Sequence, residues 1–332
     1  MLTRIVADRV YDFDRVVGGR QITGLITLAL GQESDVYAVL RLPYGARVVR
    51  LSIGTTSGDE EIVGEFGERG DGPGQFVWPA GIAVDSRQQV FVTDEWLHRV
   101  SVFSAEGEFL RTFGTAGGGD GQFHRPSGIA IDDKDDVYIA DTLNHRVQKL
   151  SNSGGYIAQW GRQGTDAGEF DSPWGITTDD QGFVYVADHK NHRIQKFSEQ
   201  GEFVFQLGSH GTGNDQFDHP SDVAVDPNGE IYVCDWANSR VQAYDRDRNY
   251  ITTFEGDAQE LSKWQKEYVG SNPAVYKARR RVYSLEPEWR FALPMAVVFD
   301  SQKSRMLVAD SQRWRIQIYN KLLDYSDPQF NI

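Results

Sequence analysis

The side chains of this sequence best suited to chemistry are a few imidazoles and carboxylates set among tryptophans. His189, His219 and Asp222, with Trp174 and Trp236 close by in the chain, could supply a proton donor, a proton acceptor and apolar walls for a small ligand. Trp78 and Arg125 would extend such a pocket with a further indole and a cation. A second set, His98, His145 and His192, recurs every 47 residues, and three imidazoles at one interval invite a metal reading. The sequence has no Walker-type phosphate loop, no His-Glu-x-x-His helix and no Gly-x-Ser-x-Gly elbow. What these groups can do therefore depends on which elements carry them.

Those elements are set by an internal repeat. Phe76, Phe123, Phe170 and Phe217 are 47 residues apart, each three residues before Pro79, Pro126, Pro173 and Pro220. Asp85, Asp132, Asp179 and Asp226 keep the same step, as do Asp94, Asp141, Asp188 and Asp235, and Arg99, Arg146, Arg193 and Arg240. Gly67, Gly114, Gly161 and Gly208 complete the pattern. Degenerate copies flank these four. Pro294, Asp300, Asp310 and Arg315 mark one behind, and Gly24, Val36-Tyr37-Ala38 and Arg47-Val48-Val49 mark one in front.

Within a unit, short apolar or alternating runs are separated by turn sequences. Gly175–Thr178, Phe183–Ala187, Arg193–Phe197 and Glu202–Leu207 read as four strands, with Asp179-Asp180-Gln181-Gly182 and Ser198-Glu199-Gln200-Gly201 as turns. Four antiparallel strands repeated six times predict an all-β, six-bladed β-propeller around a central channel. Length alone suggests about two domains, but the repeat makes 1–332 a single one. The sixth unit lacks an outer strand, and the alternating Val10–Val17 segment is expected to supply it, closing the ring and protecting a sheet edge.

The run Pro126-Ser127-Gly128-Ile129-Ala130-Ile131-Asp132, followed by Val137-Tyr138-Ile139-Ala140-Asp141-Thr142-Leu143-Asn144-His145-Arg146-Val147, resembles the NHL repeat. The resemblance covers nearly the whole chain. It implies a propeller, and leaves activity open, because the fold hosts scaffolds, RNA binders, sensors and lyases. It also implies that the segment around each Pro enters the innermost strand and that the loop after the second-strand Asp lies on the same face. His189, His219 and Asp222 would then converge at the channel mouth between Trp174 and Trp236. Amidating lyases of similar fold carry zinc-binding His directly after the Pro. Here those positions are Ala80, Ser127, Trp174, Ser221 and Met295, so that zinc chemistry does not carry over.

Residues present in every blade are expected to serve every blade. The Asp–Arg pairs and the Asn of Asp141-x-x-Asn144 fit loop-bracing roles, and the His98, His145 and His192 column reads as structural, so no metal site is expected. The least generic segment is an insertion, 255–293. The step from Asp235 to Asp310 is 75 residues, 28 more than the repeat. Leu261, Trp264 and Tyr268 share one face of a helix, and a second helix is expected from Pro273 to Tyr283. Lys263 to Arg281 holds six basic residues and one acidic. Trp264, Tyr276, Arg279, Arg280 and Arg281 are the candidate partner contacts, in a docking element, a lid or a packed ornament.

Charge and cysteine narrow the setting. With 34 basic and 48 acidic residues the net charge is −14, which disfavours nucleic acid and anionic membrane surfaces. A single cysteine, Cys234, allows no intrachain disulfide, the start of the chain is too charged for a signal peptide, and no apolar run spans a membrane, so a cytoplasmic location is expected. Two functions stay open. One is a non-catalytic scaffold for a protein partner. The other is an enzyme of lyase or hydrolase type, or a small-ligand sensor, working at the channel mouth. The sequence identifies no cofactor.

Overall fold

The computed structural model describes residues 3–6, 9–33 and 35–322. Met1, Leu2, Ala7 and Asp8, part of the charged start of the chain, lie outside the described residues.

Six antiparallel sheets form the blades. In blade three the strands are Pro126–Ile131, Val137–Asp141, Arg146–Leu150 and Tyr156–Trp160, running from the channel outward, and blades two, four and five follow the same plan. Blade one is Leu25–Leu30, Asp35–Leu42, Gly45–Ser52 and Glu61–Phe66. Blade six joins the two ends of the chain. Pro294–Asp300, Arg305–Asp310 and Arg315–Leu322 are extended by Arg9–Gly18, which pairs Val10 with Leu322 and Gly18 with Arg315. A fifth strand, Thr3–Val6, lies outside it, beyond the closure expected from the alternating pattern.

The 47-residue step has a packing reason. Phe76, Phe123, Phe170 and Phe217 are fully buried plugs. A Cβ added to the matching Gly67, Gly114, Gly161 or Gly208 would lie only 2.2 to 2.4 Å from the Phe ring, and all four glycines have φ between 73° and 98°. Those positions need glycine for both reasons. Arg146 donates through Nε to Asp141 (2.8 Å) and through its other nitrogens to the carbonyls of Gly118, Gly119 and Gln122, pinning the loop that links two blades. Arg193 and Arg240 do the same. In blade two, Arg99 keeps the loop carbonyls of Asp71, Gly72 and Gln75.

The ring seam is locked by polar groups as well as by strands. Tyr11 donates to Glu230 of blade five (2.6 Å), and the buried Lys321 pairs with Glu230 (2.9 Å) and Asp226. These charges are buried, yet each is paired and hydrogen-bonded, which offsets the cost of desolvating them.

The insertion holds three helices: α1 (Lys263–Ser271), α2 (Pro273–Arg279) and α3 (Glu286–Trp289). Helix α1 starts two residues after Leu261, at a capping box in which Ser262 and Gln265 satisfy each other's backbone N–H groups. Helix α2 stops at Arg279, short of Tyr283, and α3 has no counterpart in the sequence reading. Trp264 is only 8% exposed and packs with Val17, Ile22, Leu25 and Ile53 in the core between blades six and one. It is therefore unavailable as the exposed partner contact expected from the sequence. The indole is spent on fixing the insertion to the closing strand, helped by Ser262 donating to Gly18 O and by Lys263 N–H donating to Glu60 (2.8 Å).

Candidate functional site at the channel mouth

The innermost strands enclose a channel of about 310 Å³. It is lined mostly by small and aliphatic residues, among them Ala80, Gly128, Ile129, Ile176 and Val297. Among the described residues Asp222 is the only charged side chain lining it. Blades two to four have glycine in that column and blade six Ala296; the aspartate fits in blade five because the neighbouring position is Gly175, where a Cβ would lie 2.5 Å from the Cα and Oδ1 of Asp222. Asp222 Oδ2 accepts the N–H of Val297 in blade six at 3.0 Å. Burial without a counter-charge pushes its carboxyl up to about 7, although two backbone N–H groups pull the other way.

Above the channel, at the end where the innermost strands begin, four rings meet. His189 lies edge-on to Trp174 with centroids 4.4 Å apart, His219 is 4.9 Å from His189, and Trp236 is 6.1 and 6.5 Å from the two imidazoles. The residue types expected to converge do so, with one separation. Among the described residues no hydrogen bond or ion pair joins Asp222 to His189 or His219; the carboxyl belongs to the channel wall and the imidazoles to the rim.

Hydrogen bonds fix the imidazole tautomers. His189 follows Asp188 in a short helical turn, and its Nδ1 lies 3.1 Å from the carbonyl of Pro220, to which it must donate, leaving Nε2 as an acceptor. Burial, reinforced by nearby His219, His192 and Lys190, pushes this imidazole down to about 4, so it is neutral at physiological pH. His219 Nδ1 is 2.7 Å from Asp218 Oδ1. The geometry suits a neutral base or a hydrogen-bonding wall; of the nearby hydroxyl and thiol groups, Ser221 donates to Pro294 O (3.3 Å) and Cys234 is buried.

The repeated histidines have a different task. His98 Nδ1 accepts the N–H of Arg125, His145 that of Ser172 and His192 that of His219, each at 3.1 Å. Each bond ties one blade to the residue before the next blade's Pro, a residue at positive φ in all three cases. In blade five Ser239 takes the same part towards Leu293 (3.3 Å).

Farther round the rim, indoles stand in the open. Trp78 is 43% and Trp96 60% exposed. Arg41 sits over Trp78 at 4.4 Å and donates to Pro79 O, while Arg125 lies 6.0 Å from the Trp96 ring. Trp78 and Arg125 were legible as rim residues from their place beside the Pro. Trp96 and Arg41 were not singled out; Trp96 lies one residue beyond the column of His189 and Trp236, which Glu95 occupies in its blade. On the insertion, Tyr276 is half exposed with Arg280 5.8 Å from its ring, Arg279 pairs with Glu288, and Arg281 is exposed.

A sequence profile of the NHL repeat matches residues 76–103, 123–150, 170–197 and 217–244. No curated protein sequence matches the chain. Among solved structures, virginiamycin B lyase from Staphylococcus aureus is similar at 12% identity over 94% of this chain and 100% of that one, with a TM-score of 0.57. A gluconolactonase from Xanthomonas campestris is similar at 13% identity, over 95% and 91%, with a TM-score of 0.58. A structural genomics protein of unknown function from Bacteroides thetaiotaomicron aligns at 17% identity, over 91% and 70%, with a TM-score of 0.59. At these identities the likeness is one of fold. No helix of the described residues is long and apolar enough to cross a membrane.

Proposed function

We propose that this chain, a six-bladed propeller of NHL repeats, is a non-catalytic interaction scaffold that holds a protein partner on its channel-mouth face. The observation that carries this reading is the pairing of exposed Trp78 and Trp96 with Arg41 and Arg125 on one rim. Tryptophan and arginine dominate the binding energy of protein interfaces, where they lie buried, and both types are enriched at interfaces relative to the rest of the surface. The reactive groups nearby are instead bonded into the scaffold: the histidine column of the rim to the next blade, and Asp222 of the channel wall to Val297. A cytoplasmic setting belongs to this proposal and is drawn from the lone, buried Cys234.

A second reading, a small-ligand sensor or an enzyme of lyase or hydrolase type, draws on two observations. His219 is oriented by Asp218 at 2.7 Å, the arrangement of a base held by a carboxylate, and two of the similar propellers are a lyase and a gluconolactonase. Asp222, the carboxyl raised towards neutrality, is bonded to Val297 in the channel wall and not to these imidazoles, which weighs against it.

Peptides selected from a displayed library on the wild-type protein would test the first reading. A Trp78→Ala, Trp96→Ala double variant should lose roughly tenfold or more of their affinity, as removal of anchor residues does. Peptides that bind the double variant as tightly would move the partner surface elsewhere, and turnover of a lactone or a cyclic ester abolished by His219→Ala would favour the second reading.

A further inference from the structure

We propose that His192, His210 and Asp218, at the seam between blades four and five, form a binding site for a divalent transition-metal ion of the zinc type. The three residues come from different loops. His192 ends the turn after the second strand of blade four, His210 lies in the loop leaving that blade's outer strand, and Asp218 precedes the His219-Pro220 step. One ligand atom from each falls within 4.8 Å of the others.

The distances suit coordination. Asp218 Oδ1 is 3.5 Å from His192 Nδ1 and 3.7 Å from His210 Nε2, and the two imidazole rings are 4.3 Å apart. Ligands at zinc-like bond lengths on a tetrahedral ion lie about 3.4 Å apart, so only small side-chain adjustments would be needed. Two imidazoles and a carboxylate form a donor set that favours zinc and its neighbours over magnesium or calcium. Three protein ligands would leave a position open for water or for a partner's side chain.

The backbone beneath the cluster is already fixed. Asp218 N–H donates to Asp235 (2.7 Å), His210 forms a parallel bridge with Phe217, and His192 is held at φ 54°. One existing bond must yield: His192 Nδ1 accepts the His219 N–H at 3.1 Å. An ion taking that nitrogen would replace a single neutral hydrogen bond, a lesser interaction than a metal–imidazole bond, so modest affinity is expected. His219, whose Nδ1 is 2.7 Å from the same Asp218 oxygen, would then act as the outer partner that orients the carboxylate.

The repeat contains its own control. At the seam between blades three and four, His145 and Asp171 form the same pair at 3.7 Å, but Gln163 stands where His210 would be. Between blades two and three, His124 replaces the Asp and Ala116 the third ligand. Among the described residues only the seam between blades four and five unites all three. His210→Gln therefore installs a residue type the fold already accepts at that position, which separates loss of the site from loss of the fold.

Calorimetric titration of the tag-free protein with Zn2+ alone tests the proposal, with visible absorption of Co2+ as a second readout. One ion per chain should bind with micromolar affinity, weakened roughly tenfold or more in both His210→Gln and Asp218→Asn. Zn2+ should raise the melting temperature of the wild type and leave His210→Gln unmoved, while the two melt alike in chelator. Substoichiometric binding at micromolar Zn2+, or equal affinity in His210→Gln, would overturn the assignment.

Discussion

Asp222 Oδ2 accepts the backbone N–H of Val297 at 3.0 Å, joining the innermost strands of blades five and six on the wall of the channel. The carboxyl has no cation beside it there, and burial raises it to about 7. A carboxyl raised in the folded state contributes stability that is fully present below its unfolded value near 4 and is lost as pH rises through 7. Between pH 5 and pH 8 the wild type should therefore lose stability relative to Asp222→Asn, which keeps an acceptor for Val297 and shares every other titrating group. The shift sets a ceiling of about 4 kcal/mol; because the side chain is half-buried and opens on the channel, about 1–2 kcal/mol is expected. Urea denaturation at the two pH values measures it. Parallel profiles for both proteins would show that the carboxyl is not the titrating group.

The histidine column responds to acid in the opposite sense. His98 holds Arg125 N–H through Nδ1, and burial, with His124 and Arg125 adding repulsion, lowers its affinity for a proton. A lowered imidazole contributes stability that is present above its unfolded value near 6.5 and is lost as pH falls through the folded one. Protonation also removes the acceptor. His98→Ser copies the solution found at Ser239, so it should retain the blade-to-blade bond and lose the acid sensitivity, whereas His98→Ala should cost about 1 kcal/mol at neutral pH. Thermal melts of the three proteins at pH 7.5 and 5.5 would separate these cases.

Trp264 binds the insertion to the ring. Its burial with Val17, Ile22 and Ile53 makes it part of the closing core. Trp264→Ala should destabilise the protein by about 3 kcal/mol, the usual scale for truncating a large buried aromatic. Tyr276→Ala, half exposed on α2, should stay within about 0.5 kcal/mol of wild type. Similar small effects from both would mean that the insertion rests on the propeller without bracing it.

The fold was legible in the sequence because packing repeats wherever the sequence does. Each buried Phe plug requires its Gly, and Arg146, Arg193 and Arg240 each pin a loop from their own Asp, so a 47-residue step is visible before any coordinates. The site was half legible. His189, His219, Trp174 and Trp236 could be placed because their columns lie at one end of the strands. Asp222 stood out as an exception to glycine, but its partner Val297 is 75 residues away and only ring closure brings it near. His210 gave no signal, because its column reads Arg69, Ala116, Gln163 and His210, and a residue that differs in every blade looks like surface variation. Trp264 failed for another reason: helical periodicity names the apolar face but not what that face meets.

The insertion's free arginines offer a further prediction. Arg279 is engaged by Glu288, but Arg280 and Arg281 stand exposed on a segment with six basic residues and one acidic, on a chain of net charge −14. If the partner proposed for the mouth reaches this segment, it does so with acidic groups, and long-range attraction will add to the contact energy. Exposed ion pairs are each worth well under about 1 kcal/mol, so Arg280→Glu with Arg281→Glu should weaken the partner by roughly tenfold through lost attraction plus new repulsion. The loss should shrink as salt rises, because screening acts on both. Neither side chain packs in the core, so melting should not change. Binding curves at low and high salt, run beside the Trp78 and Trp96 variants, decide the extent of the interface. A partner that ignores the charge reversals but needs the two indoles is held by the mouth alone, and the insertion is then a brace for the ring seam.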